Sequence, residues 1–201
     1  MINCAVIGLG NMGKHHARIY SQLPSSNLVA VADINPKIGK SISEKFSCHF
    51  YTDYKDMLEN ENIDAVSIAV PTSKHHEVAL FCISKKLHLL LEKPIAGSIE
   101  EAISISNASD KNDVILQVGH IEHFNPVVVK LIEILKQNLL GELLTIVVRR
   151  VGITPPQIKD ANVIIDLAIH DIELCNTLTN KFPENIYCRA GAGILKDRED
   201  F

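Results

Sequence analysis

The feature that most narrows what this chain can fold into lies at its start. Ile2 to Ile7 is a short apolar run, and Gly8-Leu9-Gly10-Asn11-Met12-Gly13 follows directly. This is G-x-G-x-x-G between a predicted strand and a predicted helix. In that context Gly8 turns the backbone sharply, Gly10 leaves room for a pyrophosphate, and Gly13 lets helix and strand pack closely. The helix then offers free N–H groups and a positive dipole end to phosphates. Asn11 and Met12, inside the loop, count with the glycines as cofactor-binding positions. Twenty residues beyond Gly13, Asp33 ends a second apolar run, Leu28 to Ala32. An acid there accepts hydrogen bonds from the adenosine ribose of NAD, and its charge opposes the 2′-phosphate of NADP. The plainer alternative is a tight turn in an unrelated α/β protein, with Asp33 merely capping the next element.

The following segments repeat the alternation of strand and helix. Lys14 to Leu23 reads as helix. Asn35-Pro36 opens another, with proline at an early position where it is tolerated. Cys48 to Tyr51, Asp64 to Val70, His88 to Leu91 and Val114 to Val118 read as strands. The run at 64–70 is nearly all apolar, as a parallel strand covered on both faces should be. Thr72 or Ser73 can cap the helix that runs to about Lys86. Ser98 with Glu101 has the spacing of a capping box. The alternation predicts a doubly wound parallel sheet over residues 1–121. Ligands of such sheets sit at the carboxyl ends of the strands. The glycine loop, Asp33, Pro71 to His75, Glu92-Lys93-Pro94 and Gly119-His120 all fall there.

After His120 the pattern changes. Pro126 to Asn138 is apolar at helical spacing, Leu143 to Val151 reads as a strand, Val163 to Leu178 as a helix, and Ile186 to Ile194 as a strand. Residues 122–201 therefore read as the start of a second, α+β domain. Two strands are marginal by themselves, so the expectation is a truncated domain or a sheet completed by a partner.

Composition excludes several function classes. Of the 201 residues, 46% are apolar and 22% charged, and net charge is −4. No basic stripe suits a nucleic acid, and no run approaches the roughly 18 apolar residues of a membrane span. The start lacks the basic flank of a secretory signal. The five cysteines show no C-x-x-C spacing and read as reduced thiols of a cytoplasmic protein.

Three groups carry chemistry. Lys93, just after a strand, could hydrogen-bond a substrate hydroxyl and move its proton; Pro94 would fix the backbone there, through a cis bond in one reading. A surface Lys–Glu pair is the bland alternative. Asp166 and His170 lie four apart on a predicted helix and so share a face, where an acid can orient an imidazole that acts as a base. A solvated helix face is the alternative. Metal binding by Asp166, His170 and Asp171 lacks a further ligand at suitable spacing, so no metal is expected. Thr72, Ser73 and His75 could touch a nicotinamide ribose or the substrate.

Together, Val6 to Gly13 with Asp33, Pro71 to His75, Glu92-Lys93-Pro94, Val118 to Pro126 and Asp166 to Asp171 resemble the Gfo/Idh/MocA family. Within it, Gly119 to Pro126 is similar to the branch that oxidises nucleotide-linked amino sugars such as UDP-N-acetylglucosamine; His123 stands where many relatives carry arginine. The resemblance implies a Rossmann domain over 1–121. It also implies part of a substrate-binding and oligomerisation domain with an open, mostly antiparallel sheet over 122–201. It implies NAD-dependent hydride transfer at a hydroxyl-bearing carbon of a sugar, nucleotide sugar or cyclitol. Lys93, His170 and Asp166 would be catalytic. Gly8, Gly10, Asn11, Met12, Gly13, Asp33, Pro71, Thr72, His75, Glu92 and Lys93 would hold the cofactor. A homo-oligomer through the second domain is implied. The competing expectation is a truncated, catalytically inactive dinucleotide-binding protein.

Overall fold

Short apolar segments can hide both faces only if helices cover both sides of the sheet they form. The computed structural model, which describes residues 1–151, 162–193 and 199–200, shows this arrangement. The strands are β1 (Ile2–Ile7), β2 (Ser26–Ala32), β3 (His49–Tyr51), β4 (Ala65–Ile68), β5 (His88–Leu91) and β6 (Leu116–Val118). They form one parallel sheet in the order β3-β2-β1-β4-β5-β6. Between them run α1 (Gly13–Gln22), α2 (Pro36–Phe46), α3 (Tyr54–Asn60), α4 (His75–Ser84) and α5 (Ile99–Asn112). Two apolar clusters flank the sheet. One gathers Ala5, Ile7, Ile68, Ile83, Leu91 and Ile105; the other gathers Val6, Leu9, Ala17 and Val31. Burying each large side chain is worth about 1.5–3 kcal/mol, which offsets chain entropy.

The chain divides into two compact units, Met1–Gly119 and His120–Phe201. The second contains α6 (Pro126–Lys136), a π-helical turn (Ile164–Ala168) and α7 (Ile169–Thr179). Among the described residues, none of its helices or those of the first unit is long and apolar enough to cross a membrane.

Local chemistry sets several element starts. Asn35 accepts from Lys37 N at 3.0 Å, ahead of Pro36, and Asn125 accepts from Val127 N at 3.1 Å, ahead of Pro126. Ser98 Oγ accepts from Glu101 N, and the Glu101 carboxylate reaches back to Gly97 N, one residue earlier than a strict capping box.

Some expectations are corrected. Neither Thr72 nor Ser73 caps α4, because residues Thr72–Lys74 form a 3₁₀ turn closed by Lys74 N on Pro71 O. Helix α3 was not foreseen; it is seven residues long and buries one side chain, Met57, so it has no visible periodicity. No strand forms over 143–151 or 186–193, and Ile194 lies outside the described residues. β-Branched residues favour extended backbone, but a strand needs a ladder partner, and neither segment pairs among the described residues.

Candidate functional site

The sheet order places β1 between β2 and β4, so the chain winds in opposite directions on either side of β1 and β4. That reversal opens a crevice beyond their carboxyl ends. The glycine loop leaves β1 at this point. Gly8 has φ of 84°, and a Cβ there would lie 2.7 Å from the Ala69 carbonyl oxygen. A Cβ on Gly13 would lie 1.8 Å from the Gly8 oxygen. Both positions therefore exclude side chains. Gly10 differs: a Cβ there would meet nothing within 4 Å. Its bare backbone faces open space, as close approach by a ligand requires. No side chain caps α1, whose N-cap is the exposed Met12, and its first turn holds no acid. Asn11 is exposed beside it, 3.5 Å from Lys14 Nζ.

Asp33, at the end of β2, accepts from Leu9 N at 2.6 Å through Oδ2 and from Asn35 N at 2.7 Å through Oδ1. Its carboxylate is thus fixed against the glycine loop, and each oxygen retains acceptor capacity. Open backbone, an uncapped helix start and a fixed acid together fit a dinucleotide.

The ends of β4 and β5 bring Pro71, Thr72 and Lys93 to the same edge of the sheet. The Lys93–Pro94 peptide is cis. Two side chains expected at the cofactor turn inward instead. His75 is 1% exposed; Nδ1 lies 2.8 Å from Pro94 O and Nε2 3.0 Å from Val70 O. Both ring nitrogens face carbonyls, so this imidazole ties the β4 and β5 loops together. Glu92 is 7% exposed. Its carboxylate meets His16 Nε2 at 2.9 Å and accepts from Lys93 N at 3.2 Å, and Gly119 packs against it. Burial pushes the Glu92 carboxyl up, but the hydrogen bond and charge of His16, then the amide and ammonium of Lys93, outweigh it and hold it below its ordinary range.

Sequence reading missed His16, Ser67 and Tyr20. His16 Nδ1 lies 3.0 Å from Ser67 Oγ, which lies 2.7 Å from Tyr20 OH. The one visible signal was Ser67, a hydroxyl within the apolar run of β4.

In the second unit, Asp166 lies in the π turn and His170 in the first turn of α7. A π turn shifts the register of the side chains that follow and is frequent at functional sites. The nearby acids have partners. Arg150 grips Asp171 with Nε at 3.1 Å from both carboxylate oxygens and Nη2 at 2.8 Å from Oδ1, and reaches Glu122 at 3.5 Å. Glu173 bonds His123 Nε2 and accepts from Thr177 at 2.9 Å. His123 thus has a carboxylate partner within its own unit. Among the described residues no group of three or more His, Cys, Asp or Glu is placed to hold a metal.

Comparison with known proteins fits this geometry. Residues 2–120 match the oxidoreductase family model GFO_IDH_MocA, described as an NAD-binding Rossmann fold. The chain is 31% identical over 195 residues to UDP-N-acetylglucosamine 3-dehydrogenase of Acidithiobacillus ferrooxidans, covering 97% of this chain and 59% of the relative. It is 26% identical over 199 residues to myo-inositol 2-dehydrogenase of Thermotoga maritima, covering 96% and 59%. The structure of myo-inositol 2-dehydrogenase from Lactobacillus plantarum superposes with a TM-score of 0.80 at 24% identity, covering 89% of this chain and 56% of that one. The chain therefore spans less than two thirds of the length of each of these relatives. It belongs to the Gfo/Idh/MocA oxidoreductase family, and residues 2–120 form its NAD-binding Rossmann domain.

Proposed function

We propose that this chain is the nucleotide-binding and acid/base part of a dehydrogenase that oxidises a hydroxyl-bearing carbon of a sugar, nucleotide sugar or cyclitol. The observation that carries the reading is the set of groups at one sheet edge. Gly8, Gly10 and Gly13 shape an open loop, Asp33 is locked beside it, and Lys93 follows β5 on the same edge.

Bound NAD supplies the hydride acceptor. The chain's own residues handle position and the proton. The α1 start and Gly10 backbone would hold the pyrophosphate, and Asn11, Met12, Pro71 and Thr72 would be further cofactor-binding positions. Asp33 accepts from the adenosine ribose and disfavours a 2′-phosphate, so NAD is preferred over NADP. Lys93 hydrogen-bonds the substrate oxygen. His170 takes the hydroxyl proton as that carbon loses hydride and becomes a carbonyl, and Asp166 orients the hydroxyl. Residues 1–121 would be the cofactor domain and 122–201 part of the substrate and oligomerisation domain. Exposed Leu144, Val147, Ile186 and Tyr187 support self-association through the second unit. Free Cys4, Cys48 and Cys82, all buried, support a reducing, cytoplasmic setting.

The test mixes purified protein with NAD and a panel of UDP-N-acetylglucosamine, myo-inositol and scyllo-inositol, and follows nicotinamide fluorescence. Reduction with one member is expected. NAD binding without reduction across a broad sugar panel would leave only a nucleotide-binding protein. Light scattering checks the oligomer.

A further inference from the structure

We infer that His16 is a positioning residue that fixes the backbone of Lys93 to helix α1 through Glu92. The inference rests on the reading of Lys93 as an acid/base group. His16 lies one turn into the helix whose start faces the cofactor loop. It spans two partners far apart in sequence, Ser67 on β4 and Glu92 after β5.

His16 Nε2–H donates to the Glu92 carboxylate, which can only accept. Nδ1 shares a hydrogen bond with the Ser67 hydroxyl, which shares another with the Tyr20 hydroxyl. Burial pushes the Tyr20 phenol up, which keeps it a donor. Every member of this part-buried chain has a partner, the condition under which a polar network specifies one geometry. The far carboxylate oxygen of Glu92 accepts from Lys93 N. The order is therefore α1, His16, Glu92, Lys93 backbone. Nothing in the chemistry of hydride transfer demands a histidine at position 16; its placement between the cofactor helix and the lysine loop does.

Two substitutions separate this role from simple packing. Glutamine at position 16 places an amide nitrogen where Nε2 stands and keeps the bond to Glu92. Asparagine places its oxygen where Nδ1 stands, keeps Ser67 and cannot reach Glu92. Exchange of the Lys93 amide, followed by NMR without cofactor, is expected to be at least about tenfold faster in His16→Asn than in His16→Gln. Ser67→Ala, which leaves the Glu92 bond intact, should stay within about twofold of the native protein. In turnover assays His16→Asn should lower kcat about tenfold with KM for NAD within about twofold, and His16→Gln should restore kcat. Equal Lys93 exchange in the two position-16 variants, or equal acceleration by Ser67→Ala, overturns the inference. If His16→Asn fails to fold, Glu92→Gln replaces it; Lys93 exchange unchanged in that variant also overturns it. Absence of turnover in the native protein counts against the dehydrogenase reading alone, because the amide comparison is made without cofactor or substrate.

Discussion

In the first unit Ala5, Val6, Val31 and Ile68 are wholly sealed from water, whereas in the second, among the described residues, the buried hydrophobic side chain is Val128, while Val147 and Ile186 are more than 80% exposed. The contrast follows from what each unit can pair. Six strands share ladder bonds, and helices cover the faces, so apolar residues have somewhere to go. In the second unit, among the described residues, polar contacts join separate segments: Arg150 on Asp171 and Glu122, and His123 on Glu173. Partly exposed ion pairs contribute little each, about 0–1 kcal/mol. The lesson is that the nucleotide half buries its apolar residues within itself, while the half bearing His170 has apolar surface left over.

Core truncation should show the contrast most strongly. Ile68→Ala is expected to cost about 2–5 kcal/mol, because a fully buried side chain leaves a cavity. Val147→Ala should stay within about 0.5 kcal/mol. Denaturant unfolding of both variants checks this; similar losses would erase the distinction between the units.

Next in size is Lys93→Met, expected to lower turnover about hundredfold or more, equivalent to roughly 2.7 kcal/mol, with NAD affinity kept. Steady-state kinetics beside NAD titration would read it. Unchanged turnover would remove Lys93 from the chemistry. A smaller effect is expected for Asp33→Asn, about tenfold weaker NAD binding with relative gain for NADP, or roughly 1.4 kcal/mol. Calorimetric titration of both nucleotides decides it.

The twin Asn-Pro caps refine the comparison. Asn35→Ala and Asn125→Ala should each cost about 1 kcal/mol. Asn35→Ala should shift the transition of the first unit, and Asn125→Ala that of the second. A single shared transition for both would contradict independent stability.

The pH dependence is the subtlest. Glu92 has a folded value held below its ordinary 4.5. The unfolded chain therefore binds the proton more readily. The pair's stabilisation is complete above about pH 4.5 and is lost as pH falls through the folded value. Thermal melts down to acid pH should show this slope, and Glu92→Gln should flatten it.

The cofactor half was readable because its signals are local. Gly8, Gly10 and Gly13 lie within one turn, and Asp33 at one helix-and-strand spacing. The strands needed only short apolar runs. His16 was not readable, because its meaning depends on Ser67 and Glu92, 51 and 76 residues away. Arg150 was missed for the same reason, since its carboxylate sits 21 residues on. Glu92 and His75 were read as ligand-facing from their place at strand ends. That position fixes where a side chain starts, not which way it turns. The strands expected at 143–151 and 186–193 show the converse: local preference favours a strand there, but pairing is a non-local property and neither segment pairs among the described residues.

The most direct test is a crystal structure with NAD and a bound substrate. The account predicts the pyrophosphate against the Gly10 backbone, Asp33 on the adenosine ribose, and Lys93 Nζ and the His170 ring within hydrogen-bond reach, about 3 Å, of one substrate oxygen. A nucleotide lying elsewhere, or a Lys93 ammonium directed away from the nicotinamide, would contradict it.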